Sequence, residues 1–391
     1  MATGTIGEFE PDWDAHFMRL AISLGELGLA QSSPNPSVGA VIVRDGEVVG
    51  QGAHLKAGGP HAEVHALRMA GEAANGSTVY VTLEPCSHHG RTPPCADALI
   101  AAGVRRVVIA CPDVNPQVAG RGIARLREAG IEVVVGVEAA AAKRLHEAFF
   151  HTMTHGRPLV VWKTAATLDG YIAATTGHSR YVTSREARQQ VQWLRRLHPA
   201  IAVGVGTALA DDPQLTVRIA PDGAIRQPLR VVFDSMLRLP PSARLLHESG
   251  RTVVYTTERA PQERVKVLQE AAASPLDVVV LSSQADGRVP LREALVDLAR
   301  RGCNSVLVEG GAQLVSALAR ERLLDKVVYY LAPKLLGGGL PALAGLSPAR
   351  MDEALTLTDV QVSQVGPDVR VEGRIVYPEQ QEEGEHVHRI G

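Results

Sequence analysis

The chain has 391 residues, 45% hydrophobic and 21% charged, with a formal net charge of −2. That length points to two or three domains with sizeable cores, and the composition excludes a wholly disordered chain. The near-neutral charge offers no basic face for nucleic acid, four cysteines do not make a disulfide framework, and no run of about 18 apolar residues spans a membrane. Residues 1–11 are acidic and lack an apolar signal core, so the expected setting is reducing and cytoplasmic.

Residues 13–30 place Phe17, Leu20, Ala21, Leu24 and Leu27 at helical spacing. Residues 37–43 and 47–50 are apolar runs joined by Asp45-Gly46, a strong hairpin signal. Residues 61–70 read as helix, 78–83 as strand, 94–101 as helix, 106–110 as strand, 122–129 as helix and 131–135 as strand. A single helix is then expected from Glu138 into His151. Helix, hairpin, then alternating helix and strand predict an α/β sandwich on a mixed sheet.

Residues 154–158 read as a linker, and a second α/β alternation follows. Its apolar runs are 159–163, 200–205, 229–233, 252–255, 278–281, 305–308 and 326–331. Helical stretches fall at 184–197, 262–272, 291–301 and 311–320. The polar tail 379–391 is expected to be disordered. Cys111 and Cys303 end or follow apolar runs and read as core thiols.

The densest chemistry lies between His61 and Cys95. His61-Ala62-Glu63 is followed by Pro85-Cys86, and Cys95 closes the set. A lone His-x-Glu means little, and two cysteines are usually small buried hydrophobes. In this order, with an apolar run leading into Pro85, they form a set of one imidazole and two thiolates. Such a set holds one zinc ion per chain and leaves a fourth position for water. Glu63 stands close enough to move protons without binding the metal. This pattern belongs to the zinc deaminases of cytosine- and adenine-like rings. The common form has two residues between the cysteines. Here eight intervene, Ser87 to Pro94, and they must loop out to return Cys95 to the metal.

The second half carries weaker signals. Lys163 to Gly170, Gly204-Val205-Gly206-Thr207 and Glu309-Gly310-Gly311 each follow an apolar run. Glycine there lets backbone amides approach a phosphate. Each cluster alone fits a tight turn as well as a cofactor loop, and Asp169 and Asp211 read as turn or cap residues. Convergence at three strand ends points to a nucleotide. No complete G-x-G-x-x-G occurs at these ends, so an ordinary dinucleotide fold is not indicated.

Taken together, several stretches resemble the bifunctional deaminase/reductase family of bacterial riboflavin biosynthesis. They are His61 to Leu67, Thr82 to Cys95, Thr167 to Gly170, Asp211 to Arg218 and Val308 to Gly311. The likeness covers about residues 12–377, and the long loop between cysteines is normal in that family. It implies an N-terminal cytidine-deaminase-like three-layer sandwich, residues 12–154, and a C-terminal dihydrofolate-reductase-like α/β domain, residues 158–377. The first would deaminate 2,5-diamino-6-ribosylamino-4(3H)-pyrimidinone 5′-phosphate with zinc. The second would reduce the product's ribosyl group to ribityl with NADPH.

By resemblance His61, Cys86 and Cys95 are the zinc ligands and Glu63 the proton shuttle. Asn35, His88 and Arg91 match deaminase substrate contacts. Ala165, Tyr181, Thr207, Asp211, Ser235 and the turn Gly311, Ala312, Gln313, Leu314, Val315, Ser316, Ala317 match NADP contacts. Ser179, Arg195, Leu215, Arg218 and Glu309 match reductase substrate contacts. The partner implied is a small pyrimidine ribosyl phosphate, with neither nucleic acid nor membrane, in a homo-oligomer. Tyr181 stands where Trp is frequent, Ala40 where Cys is common, and Val114 where Pro is usual. Two rivals share the zinc set: a tRNA-editing deaminase, which leaves the second half unexplained, and a structural-zinc sensor, which leaves Glu63 idle.

Overall fold

Helix α1 (Trp13–Glu26) starts where the Asp12 carboxylate accepts from the Ala15 amide at 3.0 Å, satisfying an amide the helix itself cannot. Its buried residues Phe17, Met18, Ala21 and Ile22 share one core with Val41, Ile42, Val79 and Val107. The computed structural model describes residues 12–29, 31–87, 94–115, 118–219 and 226–378. Two units are present, Met1–Thr154 and His155–Gly391.

In the first unit β1 (Gly39–Arg44) and β2 (Glu47–Ala53) form the expected hairpin. Asp45 and Gly46 both take positive φ, 52° and 83°, as a two-residue turn with matching twist requires. With β3 (Thr78–Val81), β4 (Arg106–Ile109) and β5 (Glu132–Val135) the sheet order is β2-β1-β3-β4-β5. β1 runs antiparallel to β2 and β3, while β3, β4 and β5 are parallel. The helices are α2 (Ala62–Ala70), α3 (Cys95–Ala101), α4 (Arg121–Glu128), α5 (Ala139–Leu145) and α6 (Glu147–His155). α2, α3 and α4 pack in succession and α5 packs on α1, giving the layered α/β sandwich. Because β3 and β4 are parallel neighbours, the segments leaving their C-terminal ends lie side by side.

The single helix expected over 138–151 is two helices, broken at His146. The buried His146 imidazole donates from Nε2 to the Thr82 carbonyl at 3.2 Å. That inward bond to the end of β3 interrupts a stretch whose residues would otherwise continue as helix.

The expected linker also differs. Arg157 is buried and makes two 2.7 Å bonds to Asp325, which accepts a third from the Val160 amide. Arg157 is therefore a core residue of the second unit, its buried charge compensated by a bidentate partner.

The second unit contains β6 (Leu159–Thr167), β7 (Tyr171–Ala173), α7 (Arg185–Leu197), β8 (Ala200–Gly204), α8 (Val205–Asp211), β9 (Leu229–Phe233), β10 (Thr252–Thr257), α9 (Gln262–Ala271) and β11 (Leu276–Leu281). It continues with α10 (Leu291–Arg300), β12 (Ser305–Val308), α11 (Ala312–Arg320), β13 (Lys326–Ala332), β14 (Leu340–Pro341), β15 (Thr356–Val365) and β16 (Asp368–Val376). The nine-stranded order is β11-β10-β9-β8-β12-β6-β13-β16-β15. The first seven are parallel, and β16 and β15 close one edge antiparallel. The seven strands expected from apolar runs are those seven. The β15–β16 hairpin carries no such run because it alternates apolar and polar residues, with β15 largely exposed and β16 half-buried, unlike a strand buried on both faces.

His198 precedes β8, and its Nδ1 lies 2.8 Å from the Ser305 hydroxyl. Burial holds its imidazole down to about 4, and Lys326 adds to this. Between that value and the ordinary 6.5 the unfolded chain binds a proton that the folded chain does not. Stability should therefore rise with pH through that window and level off above it. Urea unfolding of wild type and His198→Gln between about pH 5 and pH 7 tests this. The variant should show the smaller pH dependence, and equal slopes would remove His198 from the account.

Two candidate active sites

His61 is the N-cap of α2, with φ −73° and ψ 164°, so its ring stands at the mouth of the helix. Glu63 follows in the first turn and is only 3% exposed. Cys86 lies beyond the end of β3, and Cys95 is the first residue of α3 with Pro94 as its cap. The loop between the cysteines is tied at its base, where the Cys95 amide donates to Cys86 Sγ at 3.3 Å and the Ala96 amide to the Cys86 carbonyl at 3.1 Å. His61 Nδ1 is 3.2 Å from Cys95 Sγ and 3.7 Å from Cys86 Sγ. The three donor atoms lie within 4.8 Å of one another. His65 lies outside this group, and His88 and Arg91 lie outside the described residues.

The electrostatics of the cluster fit a cation. Hydrogen bonding with Cys95 draws the Cys86 thiol down to about 4, opposed by burial and assisted by His61. The same bond and burial push Cys95 up. Two sulfurs at this distance cannot both ionise without a positive charge between them, and one imidazole with two thiolates is a zinc donor set. Burial raises the Glu63 carboxyl, with His61 opposing. A carboxyl in this position, beside the donor set and shielded from bulk water, is placed to exchange protons with a bound ring.

Asn35 reaches this cluster through a residue that sequence reasoning missed. His54 is buried, with Nδ1 3.0 Å from the Pro60 carbonyl and Nε2 3.1 Å from Asn35 Nδ2. A carbonyl only accepts, so Nδ1 carries the proton and Nε2 accepts from Asn35. The Asn35 amide is thereby oriented, leaving Oδ1 as an acceptor. The His54 ring also stands edge-on to His61 at 5.2 Å. An isolated histidine between Ala53 and Leu55 gave no spacing signal by which to find it.

Residues 11–111 match the cytidine and deoxycytidylate deaminase zinc-binding region, and residues 158–371 match the RibD C-terminal domain. The riboflavin biosynthesis protein RibD of Escherichia coli K12 is 44% identical, covering 91% of this chain and 98% of its own. Its Aquifex aeolicus counterpart is 42% identical over 91% and 97%. The chain belongs to the RibD family. A solved structure of Acinetobacter baumannii RibD superposes with a TM-score of 0.82 at 41% identity, covering 93% of this chain and 99% of that one. A deaminase/reductase from Thermotoga maritima gives 0.80 at 36% identity, with the same coverage. The protein is a bifunctional enzyme of riboflavin biosynthesis, a zinc-type deaminase domain followed by a reductase domain.

In the reductase domain the sheet order unites motifs that are far apart in sequence. β8, β12 and β6 are adjacent and parallel, so the three clusters seen in the sequence leave neighbouring C-terminal ends. This is where α/β sheets bind ligands. Thr207 Oγ1 accepts from the Gly311 amide at 2.9 Å, joining two of the three. A Cβ on Gly310 would lie 3.6 Å from the Gly204 nitrogen and 3.0 Å from Leu314. Backbone therefore approaches backbone at this point.

The helix expected over 311–320 is α11, capped by Gly311, and the matched positions 311–317 are its cap and first turns. Leu314, Val315 and Ser316 are buried in it, so their side chains serve the core. The amides of its first turn have no partner within the helix. Asp211 ends α8 and is exposed. The Ser235 hydroxyl accepts from the Val289 amide at 3.1 Å. Ala165 lies within β6 opposite Tyr330. Tyr181 is 63% exposed with the Arg188 guanidinium 4.0 Å over its ring, and Ser179 is half-buried nearby in sequence.

Arg195 is committed within the protein. It bonds Glu309 at 2.7 and 3.0 Å and the Thr216 carbonyl at 3.0 Å. It holds the segment of buried Leu215, at φ 52°, against the end of β12. Arg218 is exposed, with its amide fixed by Gln192 at 3.0 Å. Lys163 joins this group. Burial lowers its ammonium, Glu309 opposing and Arg195 assisting. Its placement in the middle of an apolar strand was the available signal, since a cation there needs partners.

Metal analysis of purified variants checks the first site. Cys95→Ala should lose zinc, whereas Glu63→Gln should keep wild-type zinc and lose deamination. Zinc loss in Glu63→Gln would make that residue a ligand.

Proposed function

We propose that the first domain removes the 2-amino group of 2,5-diamino-6-ribosylamino-4(3H)-pyrimidinone 5′-phosphate, and that the second reduces the product's ribosyl group to ribityl. The observation that carries the reading is the His61, Cys86 and Cys95 cluster with a buried, raised Glu63 beside it. Zinc held by those three side chains supplies the Lewis acidity that makes water a nucleophile near neutral pH. Glu63 would carry one proton of the attacking water to the ring nitrogen and the second, from the hydroxyl so formed on the carbon, to the departing amine, which leaves as ammonia. Water thereby replaces ammonia on the carbon. Asn35 Oδ1, fixed by His54, accepts from the substrate's polar edge. His88 and Arg91 are assigned to the substrate on resemblance alone.

NADPH supplies the hydride for the second step. The chain's part is to place it and hold the sugar still. The amides at the start of α11 with Thr207, Ser235, Asp211, Ala165 and Tyr181 form the proposed NADPH seat. Arg218 is the exposed cation offered to the sugar phosphate. Arg195 and Glu309, already locked together, shape the wall with Lys163 and position the ribosyl end. Leu215 and Ser179 complete that side. The reading includes one zinc per chain and a homo-oligomeric, cytosolic enzyme. Four free cysteines support a reducing setting, and no helix among the described residues is long and apolar enough to cross a membrane.

The decisive assay incubates the diamino pyrimidinone phosphate with and without NADPH. Ammonia should be released in both cases, and NADPH consumed only in the first. Release of no ammonia would overturn the reading. Within the second step Arg218→Ala should raise KM for the deaminated intermediate by about tenfold or more, as expected for loss of a charged partner. NADPH affinity and the deaminase step should not change. Unchanged KM and kcat would take Arg218 out of the site.

A further inference from the structure

Glu84 stands two residues before Cys86 and takes no part in the chemistry above. Its side chain is buried, 4% exposed, and among the described contacts its charge is met by backbone amides. Oε1 accepts from Gly122 at 2.9 Å and Ile123 at 3.2 Å, and Oε2 from Gly120 at 3.0 Å and Asp113 at 3.2 Å. Its own amide donates to the Cys111 carbonyl at 3.1 Å. Gly122 and Ile123 belong to the first turn of α4, whose amides have no partner within the helix. Gly120, at φ 76°, turns the chain so that its amide joins them.

The contact is close on its other side as well. A Cβ on Gly122 would lie 2.0 Å from the Pro85 carbonyl oxygen and 3.3 Å from Glu84 Cγ. The start of α4 therefore rests directly on Glu84-Pro85, the two residues leading into Cys86. The segment held at the far end begins at Asp113, which itself accepts from the Asn115 amide at 2.8 Å. It leaves the C-terminal end of β4 beside the segment that carries Cys86 out of β3, at the edge of a sheet where ligands bind.

We propose that Glu84 is a positioning residue for deamination. It fixes Asp113 and the start of α4, Gly120 to Ile123, relative to the Cys86 ligand, so that one wall of the pyrimidine pocket is set by a buried carboxylate. This rests on the reading of the zinc cluster as the deaminase centre. A glutamine at 84 keeps the shape but turns a donor amide toward backbone donors, which releases the segment without touching a ligand.

The test uses the full-length zinc enzyme, whose second activity serves as an internal control. In Glu84→Gln, zinc per chain and the NADPH-dependent step on deaminated intermediate should stay at wild type. The deaminase KM should rise on the order of tenfold, with kcat changing less, as loss of acceptors for buried amides predicts. Gly122→Ala, which presses on Pro85 from the opposite side, should give the same split. A role confined to folding or to metal retention would lower kcat in proportion to zinc and leave KM alone, and would overturn the proposal. So would wild-type deaminase kinetics in both variants. Failure of the underlying reading looks different: Glu63→Gln would then deaminate as wild type does, and both ideas would fall.

Discussion

Two sulfurs and one imidazole nitrogen held within 4.8 Å of one another set the terms for the first domain. Both sulfurs can be thiolates in such a group only around a cation, because thiolates this close repel and burial penalises each charge. Everything near it serves to hold the three atoms together. α2 begins at His61, α3 begins at Cys95, and the exit of β3 delivers Cys86. The Cys95 and Ala96 amides then close the loop base on Cys86. Helix starts recur here for a physical reason, since their unpaired amides lie where negative charge must be accommodated. The same logic seats the Glu84 carboxylate on the start of α4.

The second domain meets a different constraint. Glycine occupies the end of β8, the exit of β12 and the start of α11, where on the proposed reading a nucleotide would lie against backbone. The sheet order brings β8, β12 and β6 together although more than a hundred residues separate Gly204 from Gly310. Around that seat the charges are arranged in pairs. Arg195 neutralises Glu309, and Lys163, depressed by burial, sits in the field of both. Arg218 beside them is exposed, so on the proposed reading phosphate recognition and the shaping of the ribosyl pocket fall to different arginines.

Much of this was legible in the sequence where local chemistry is distinctive. Continuous apolar runs located the seven parallel strands of the second domain, and period-3.6 patterns most helices, because strands buried on both faces and amphipathic helices must carry them. The Asp45-Gly46 hairpin followed from its need for two positive φ values. Patterning failed where burial does not dictate it. The exposed β15–β16 edge, the short α8 and the β7–β14 pair carry no continuous apolar run. The break at His146 and the burial of Arg157 arise from partners at Thr82 and Asp325, far away in sequence.

By itself the sequence determined the donor set and the family, and it named Glu63 as the proton carrier now proposed, because a metal site needs particular atoms and these can be read from residue types and order. Tertiary structure alone decided which polar side chains are free to meet a ligand and which are already spent inside the fold. His54 orienting Asn35, Glu84 gripping four amides and Arg195 closed on Glu309 are all pairings between distant segments. A hydrogen bond is defined by distance and direction between atoms, and no local pattern encodes a distance between strands that meet only when the sheet forms.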